Sequence, residues 1–402
     1  MNMFIRFIFV FVFVGVLVGI ILYARGYRPD FQTGSLSSTG IIAVSSSPKA
    51  AKVYVNGVLK GATDINLTLP PGTYQVEVKK EGYTNWSRQI NLRGELVIST
   101  EALLYPINPS LSPLTNLGIV KAIPVDQTDK YLLFSESDNT ETDGIYLFEA
   151  TQRPLSFLPP LKPVLFKKNL PFPYSLKDTE IFFSPDYKQA IIEFSSIDDG
   201  LTKPSYLLTL DEENINLFDT TTSKTTLLEA WQKQREKNMQ KILETFPKEL
   251  VKIASNSLHI VSFSPDETKI LYQAESPLEL PVLITPRLIA TNQTSEERLL
   301  QKNQFYIYDR KEDKNFPVKT TPNTDLPYEL NLQWYTDSKR LVFRENKRIS
   351  VMDYDSSNKQ TLYSGPFVDT FFSVTNEGKI AVLTNLNPEI NKWPDLYLVG
   401  IK

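Results

Sequence analysis

The sequence predicts a mainly β protein: an N-terminal transmembrane helix, a small β-sandwich, and then a β-propeller with a helical insertion. Three observations carry this prediction. Phe7 to Ala24 contain no charge, residues 39 to 106 fall into short alternating segments cut by tight turns, and a phrase opening Phe-Ser-Pro-Asp recurs further along.

The first element is "FIFVFVFVGVLVGIILYA", eighteen residues from Phe7 to Ala24. As a helix at ~1.5 Å per residue it spans ~27 Å, close to the hydrocarbon thickness of a bilayer. The competing reading is a cleaved signal peptide, but the apolar run is longer than a typical signal core and "LYARG" is a poor small-x-small cleavage site. Arg6 precedes the span while Arg25 and Arg28 follow it, so the positive-inside rule does not by itself place the body outside the cytoplasm. On this reading residues 1–26 are the anchor and 27–38, polar and without periodicity, are a linker.

Residues 39–106 alternate with period two at Ile42 and Val44, Val53 and Val55, Leu67 and Leu69, Tyr74, Val76 and Val78, and Ile90 and Leu92. Ser47-Pro48, Asn56-Gly57, Pro71-Gly72 and Glu81-Gly82 separate the segments. Asn-Gly suits a type I′ hairpin because both residues tolerate positive φ. A sandwich of at most about seven short strands follows. The ordered set Ser47-Pro48-x-Ala50, Val53-Tyr54-Val55-Asn56-Gly57, Gly61-x-Thr63, Leu69-Pro70-Pro71-Gly72-x-Tyr74 and Gly82-Tyr83-x-x-Trp86 resembles a PEGA domain, with Asp64 where many members carry Pro. The resemblance implies a small non-catalytic surface module, often found in exported or membrane-tethered prokaryotic proteins. It is the main ground for expecting an extracytoplasmic body on a single-pass anchor. Tyr54, Tyr74 and Tyr83 suit half-buried packing at a sandwich edge, with an aromatic cluster for a glycan or peptide as the functional alternative.

Beyond Pro106 the phrase "FSPDYKQAIIEF" at Phe183 returns as "FSPDETKILYQ" at Phe263, and more loosely from Ile123, Leu332 and Thr370, giving five copies. Each is followed by a second strand-like element: "GIYLFEA", "SYLLTLD", "QFYIYDRK", "RISVMDYD" and "DLYLVGI". Asp337 and Asn376 are 39 residues apart, near the ~40–45 residues of a four-stranded propeller blade. The longer spacings around Asp266 are absorbed by insertions at 226–256 and 276–303. The first carries Leu228, Trp231, Ile242 and Phe246 on a helical stripe, with Pro247 to interrupt it, and reads as a helix or helix pair projecting from a blade. Residues 107–402 thereby resemble TolB-like and WD40-like propellers, whose signature has Gly after the Asp; here that place holds Tyr187, Glu267 and Ser338. Five to seven blades are expected.

Composition narrows the function. Lys plus Arg number 43 against 46 Asp plus Glu, for a net charge of −3 with no long basic run, which argues against nucleic acid as a partner. Cysteine is absent and His259 is the single histidine, within a strand-like run and without a G-x-S-x-G elbow, so thiolate metal sites, multi-His centres and a Ser-His-Asp triad lack their parts. The recurring Asp126, Asp186, Asp266 and Asp337 suit turn closure once per repeat better than a single acid–base pair. Asp138, Asp143 and Asp353 lie in acidic loops that do not follow the twelve-residue calcium pattern. No catalytic residue, cofactor or metal is assigned. The expected function is a membrane-anchored envelope binding or scaffold protein, with other envelope proteins or polysaccharide as partners and Trp231, Tyr83 and Trp86 as candidate surface residues. The alternatives are a propeller hydrolase or lyase, which would line one mouth of the ring with Asp, Glu, Tyr and Arg, and a purely structural spacer.

Overall fold

The computed structural model describes residues 2–24, 26–30, 35–125, 129–137, 141–150, 161–195, 203–289, 292–320, 332–368 and 371–401. Two units form: Met1–Asn108 with Ile284–Ser295, and Pro109–Leu283 with Glu296–Ile401.

In the first unit the apolar run forms α1 (Asn2–Ala24), whose stretch Ile5–Ala24 is long and apolar enough to cross a membrane and is packed against nothing. The segment expected as a polar linker contains a hairpin, β1 (Tyr27–Asp30) with β2 (Ser35–Ser38). Its polar sequence gives no alternation because the pairing is made by backbone. Thr39 closes its base, donating to the Gly26 carbonyl from its backbone N–H at 2.9 Å and from its hydroxyl at 2.6 Å. Gly26 has φ +88°, and a Cβ there would come within 3.0 Å of the Thr39 carbonyl oxygen.

Seven strands follow: β3 (Gly40–Ser47), β4 (Lys52–Val55), β5 (Val58–Ala62), β6 (Ile65–Leu69), β7 (Gly72–Lys79), β8 (Trp86–Leu92) and β9 (Val97–Leu103). They make two sheets, β6-β3-β9 with β3 and β9 parallel, and β5-β4-β7-β8, all antiparallel. Alternation puts Ile42 and Val44 of one sheet, and Val53, Val55, Val76, Val78, Trp86 and Ile90 of the other, into one core. Each such aliphatic side chain contributes ~1.5–3 kcal/mol on burial. Asn56 and Gly57 have φ +50° and +79°, as the type I′ reading requires. Within this unit the Gln293 side-chain amide accepts from Asn91 N at 2.6 Å and donates to its carbonyl at 2.9 Å, occupying the outer edge of β8 as a strand would.

The described residues of the second unit form five four-stranded antiparallel sheets. Blade 1 is β11 (Ile119–Pro124), β12 (Lys130–Ser135), β13 (Gly144–Glu149) and β14 (Leu161–Phe166); blade 2 is β15 (Glu180–Phe183), β16 (Gln189–Glu193), β17 (Ser205–Thr209) and β18 (Phe218–Asp219). Blade 3 is β19 (Leu258–Phe263), β20 (Lys269–Ala274), β23 (Phe305–Asp309) and β24 (Lys314–Pro317), with a ribbon of β21 (Leu278–Glu279) and β22 (Leu299–Leu300) between its second and third strands. Blade 4 is β25 (Leu332–Trp334), β26 (Arg340–Glu345), β27 (Arg348–Asp353) and β28 (Gln360–Tyr363). Blade 5 is β29 (Phe372–Val374), β30 (Ile380–Thr384) and β31 (Asp395–Gly400), completed by β10 (Ser110–Pro113) from the beginning of the unit. Pairing β10 with β31 closes the ring.

Neighbouring blades share cores. Leu132 and Phe134 of blade 1 pack with Ile192 and Phe194 of blade 2, Tyr131 of blade 1 with Ala381 and Leu383 of blade 5, and Leu271 of blade 3 with Leu341 and Met352 of blade 4. Second strands are therefore covered on both faces, as in β30, where all five residues are buried. That is why they read as unbroken apolar runs instead of alternating ones.

The helical insertion is a pair, α2 (Lys224–Leu243) and α3 (Lys248–Ser257), broken at Pro247. It does not simply project. Leu243, Phe246, Leu250 and Ala254 pack into the core of blade 3 beside Tyr272, Tyr306 and Tyr308.

Candidate functional site

The Ser-Pro-Asp turns lie between first and second strands of the blades. Tyr187 N donates to the Ser184 carbonyl at 3.0 Å, Glu267 N to Ser264 at 2.7 Å, Ser338 N to Tyr335 at 3.1 Å and Gly378 N to Thr375 at 2.8 Å. Every one of these four residues is left-handed, with φ of +54°, +54°, +58° and +74°. The three positions that lack glycine thus keep glycine's conformation, at ~1–2 kcal/mol each.

The aspartates serve these turns. Asp186 Oδ1 accepts from the Ser184 hydroxyl at 2.7 Å and Lys188 N at 3.2 Å, Asp266 Oδ1 from the Ser264 hydroxyl at 2.7 Å and Thr268 N at 3.2 Å, and Asp337 Oδ1 from Lys339 N at 2.8 Å. The Ser184 hydroxyl holds the Asp186 carboxyl below its ordinary range. Partial burial pushes Asp266 upward, but the Ser264 and Thr268 hydroxyls and Thr268 N–H together outweigh it and hold that carboxyl well below. Asp129 behaves oppositely: burial raises it against the opposing bond from Asn376 N at 2.6 Å. These carboxylates are committed to local or inter-blade bonds, and among the described residues no group of three or more His, Asp or Glu is placed to hold a metal ion. Asp126 and Asp138 lie outside the described residues.

The ring surrounds a cavity of about 780 Å³ lined by the first strand or adjoining turn of every blade. Phe183 and Tyr187 face it from blade 2, Trp334 and Thr336 from blade 4, and Asn376 from blade 5. Its described lining includes no Asp, Glu, Lys, Arg or His. Several of its polar groups stitch blades together. Gln333 donates to the Phe372 carbonyl and accepts from Val374 N, both at 3.0 Å, and the Ser262 hydroxyl accepts from Trp334 Nε1 at 3.1 Å. The Thr336 hydroxyl and the Asn376 side-chain amide add neutral polar groups from exposed turn positions. An aromatic and aliphatic wall with neutral polar groups suits an uncharged, partly apolar guest.

The candidate surface residues do not converge on this cavity. Trp86 is 2% exposed and sits in the sandwich core, so the expectation of a surface role is corrected: its place on the inward face of β8 gives the indole to packing. Tyr83 is half-buried against the same core, is bridged by backbone to Pro106, and has the Lys80 ammonium 5.9 Å from its ring centre. Trp231 belongs to the other unit, half-buried along the stripe of α2. Sequence reasoning missed the cavity residues; the available signal was that each first strand ends immediately before a recognised turn.

Among solved structures the chain is similar to a putative TolB from Agrobacterium tumefaciens, at 12% identity, covering 88% of this chain and 99% of that one with a TM-score of 0.19. It is also similar to the Dos1 propeller, at 12% identity, 94% and 82% coverage and a TM-score of 0.21. A protein of unknown function from Bacteroides thetaiotaomicron gives 8% identity, 83% and 74% coverage and a TM-score of 0.21. No curated protein matches the sequence. The propeller assignment stands on the five sheets and the β10–β31 closure of this chain itself. Residues 39–107 match the PEGA domain family, and the sandwich is accordingly a PEGA domain.

Proposed function

We propose that the protein is a non-catalytic binding protein of the prokaryotic cell envelope, held by α1 as an uncleaved single-pass anchor with its body outside the cytoplasm. The propeller cavity takes an uncharged, partly apolar segment of a partner protein. One observation carries the reading: a cavity of about 780 Å³ reached by all five blades, whose described lining offers aromatic rings and neutral hydrogen-bonding groups and no carboxylate, histidine, lysine or arginine. Acid–base catalysis most often uses a carboxylate, imidazole or ammonium within hydrogen-bond reach of the reacting atoms; the described lining offers Tyr187 as its one titrating side chain, which favours binding over hydrolysis or elimination. The PEGA domain and the anchor agree with an envelope location.

The test is co-purification of crosslinked neighbours from native membranes with the wild-type chain and with Thr336→Trp and Asn376→Trp, which fill the mouth. Partner recovery is expected to fall at least tenfold in both variants at unchanged melting temperature. Equal recovery by the filled variants would move the binding site elsewhere.

A further inference from the structure

Resting on the reading of α1 as a retained anchor, we infer that one end of the sandwich, formed by the Pro70-Pro71 corner and residues 93–97, lies on the lipid headgroup layer. The junction between helix and sandwich is short and closed. Gly26 N donates to the Tyr23 carbonyl at 3.1 Å, continuing the helix end, and the Gly26 carbonyl takes both bonds from Thr39. The hairpin between them returns to its starting point, so twelve intervening residues add no reach. From Ala24 to Gly26 the chain can extend by only ~7 Å at ~3.5 Å per residue. The headgroup layer is itself ~5–8 Å thick on each side of the hydrocarbon. Thr39 therefore sits at the outer margin of the headgroups.

What surrounds Thr39 is fixed by the sandwich. Glu95 N donates to the Thr39 carbonyl at 2.9 Å and Ile41 N to Leu96 at 2.8 Å. A Cβ on Gly40 would meet the Arg93 carbonyl at 2.5 Å, and one on Gly94 would come within 3.7 Å of the Pro71 ring. This end presents Pro70, Pro71, Arg93, Glu95 and Val97 outward, Val97 being 57% exposed. Apolar side chains beside a guanidinium and a carboxylate, with no net charge between Arg93 and Glu95, suit the mixed chemistry of zwitterionic headgroups and upper acyl chains. The opposite end, with Lys49 and Glu81, is seven residue steps along β3, or ~23 Å away at ~3.3 Å per step.

The chain has no cysteine, so single thiols can be placed without background. Full-length Val97→Cys, Pro71→Cys, Glu81→Cys and Val14→Cys proteins carrying a small fluorophore are reconstituted into phosphatidylcholine–phosphatidylglycerol vesicles containing either headgroup or acyl-chain nitroxide lipids. Expected are acyl-chain quenching at position 14, and headgroup quenching at 97 and 71 at least twofold stronger than at 81. Quenching at 97 and 71 no stronger than at 81, with position 14 still in lipid, overturns the inference and leaves the anchor intact. A water-exposed label at position 14 overturns the anchor and the inference together.

Discussion

The sandwich and the propeller dispose of their sheet edges differently. The sandwich ends both sheets in outer strands, β5 and β8 in one and β6 and β9 in the other, and gathers its stability into one core around Trp86. The propeller completes its last sheet with β10 from the start of the unit and spreads its apolar burial over cores shared by neighbouring blades. A single lesion should therefore cost the sandwich a larger share of its stability than an equivalent lesion costs the ring.

The largest expected effect is at Trp86. Truncation to Ala leaves a large void and should cost ~3–5 kcal/mol, enough to melt the sandwich while the propeller transition stays in place by calorimetry. Trp231→Ala, on a half-buried helix stripe, should cost only ~1 kcal/mol. Equal losses would mean that the sandwich core is not centred on the indole.

Inside the ring, Gly144→Ala is next. A Cβ there would meet the Leu165 carbonyl at 2.4 Å and the Phe166 Cα at 3.1 Å, both backbone atoms of the paired strand β14. The overpacking should cost ~1–3 kcal/mol in urea titration, and it should lower the propeller transition without moving the sandwich one.

The turns offer a smaller and sharper contrast because the same substitution should change sign. Glu267 is exposed and left-handed, so Glu267→Gly relieves ~1–2 kcal/mol of backbone strain and loses ~0.5–1 kcal/mol to unfolded-chain entropy, a net gain of roughly half a kcal/mol. Ser338 has the same φ, but its buried hydroxyl accepts from Asp266 N at 2.9 Å, linking blades 3 and 4. Ser338→Gly loses that bond and leaves a donor unmet, ~1–3 kcal/mol, so it should destabilise. Paired denaturation midpoints shifted in the same direction would contradict the strain argument.

Acid should weaken the turns last. Asp266 has a depressed folded pKa, so its contribution is fully present above the unfolded value of ~3.9 and is lost as pH falls below it. Burial-raised Asp129 works in the opposite sense, favouring the folded state as it protonates. Asp266→Asn should therefore flatten the decline in melting temperature below about pH 4. An unchanged acid slope would show that the Ser264 and Thr268 bonds do not hold the charge.

Much of this architecture was legible in the chain because its signals are local. Asn56-Gly57 states its turn type, and the covered second strands announce themselves as "AIIEF" and "KILYQA". The fourth strands were not legible: "FD", "KNFP" and "QTLY" are short and lack sustained alternation, and β10 joins the blade at the other end of the unit. The hairpin before the sandwich escaped notice for a related reason, since backbone pairing at Gly26 and Thr39 leaves no hydrophobic trace. At Tyr187, Glu267 and Ser338 the neighbouring structure imposes a conformation that the residue types would not choose. The cavity was hidden most completely, because Phe183, Trp334 and Asn376 are far apart in sequence and meet only when the ring closes.

Photo-crosslinking in the native cells tests the central claim most directly, with a benzophenone amino acid at Thr336 on the cavity mouth and, for comparison, at Phe218 on the outer strand of blade 2. The account predicts a discrete adduct to an envelope protein from position 336 that position 218 does not give. The same adducts from both positions, or adducts from 218 alone, would contradict it.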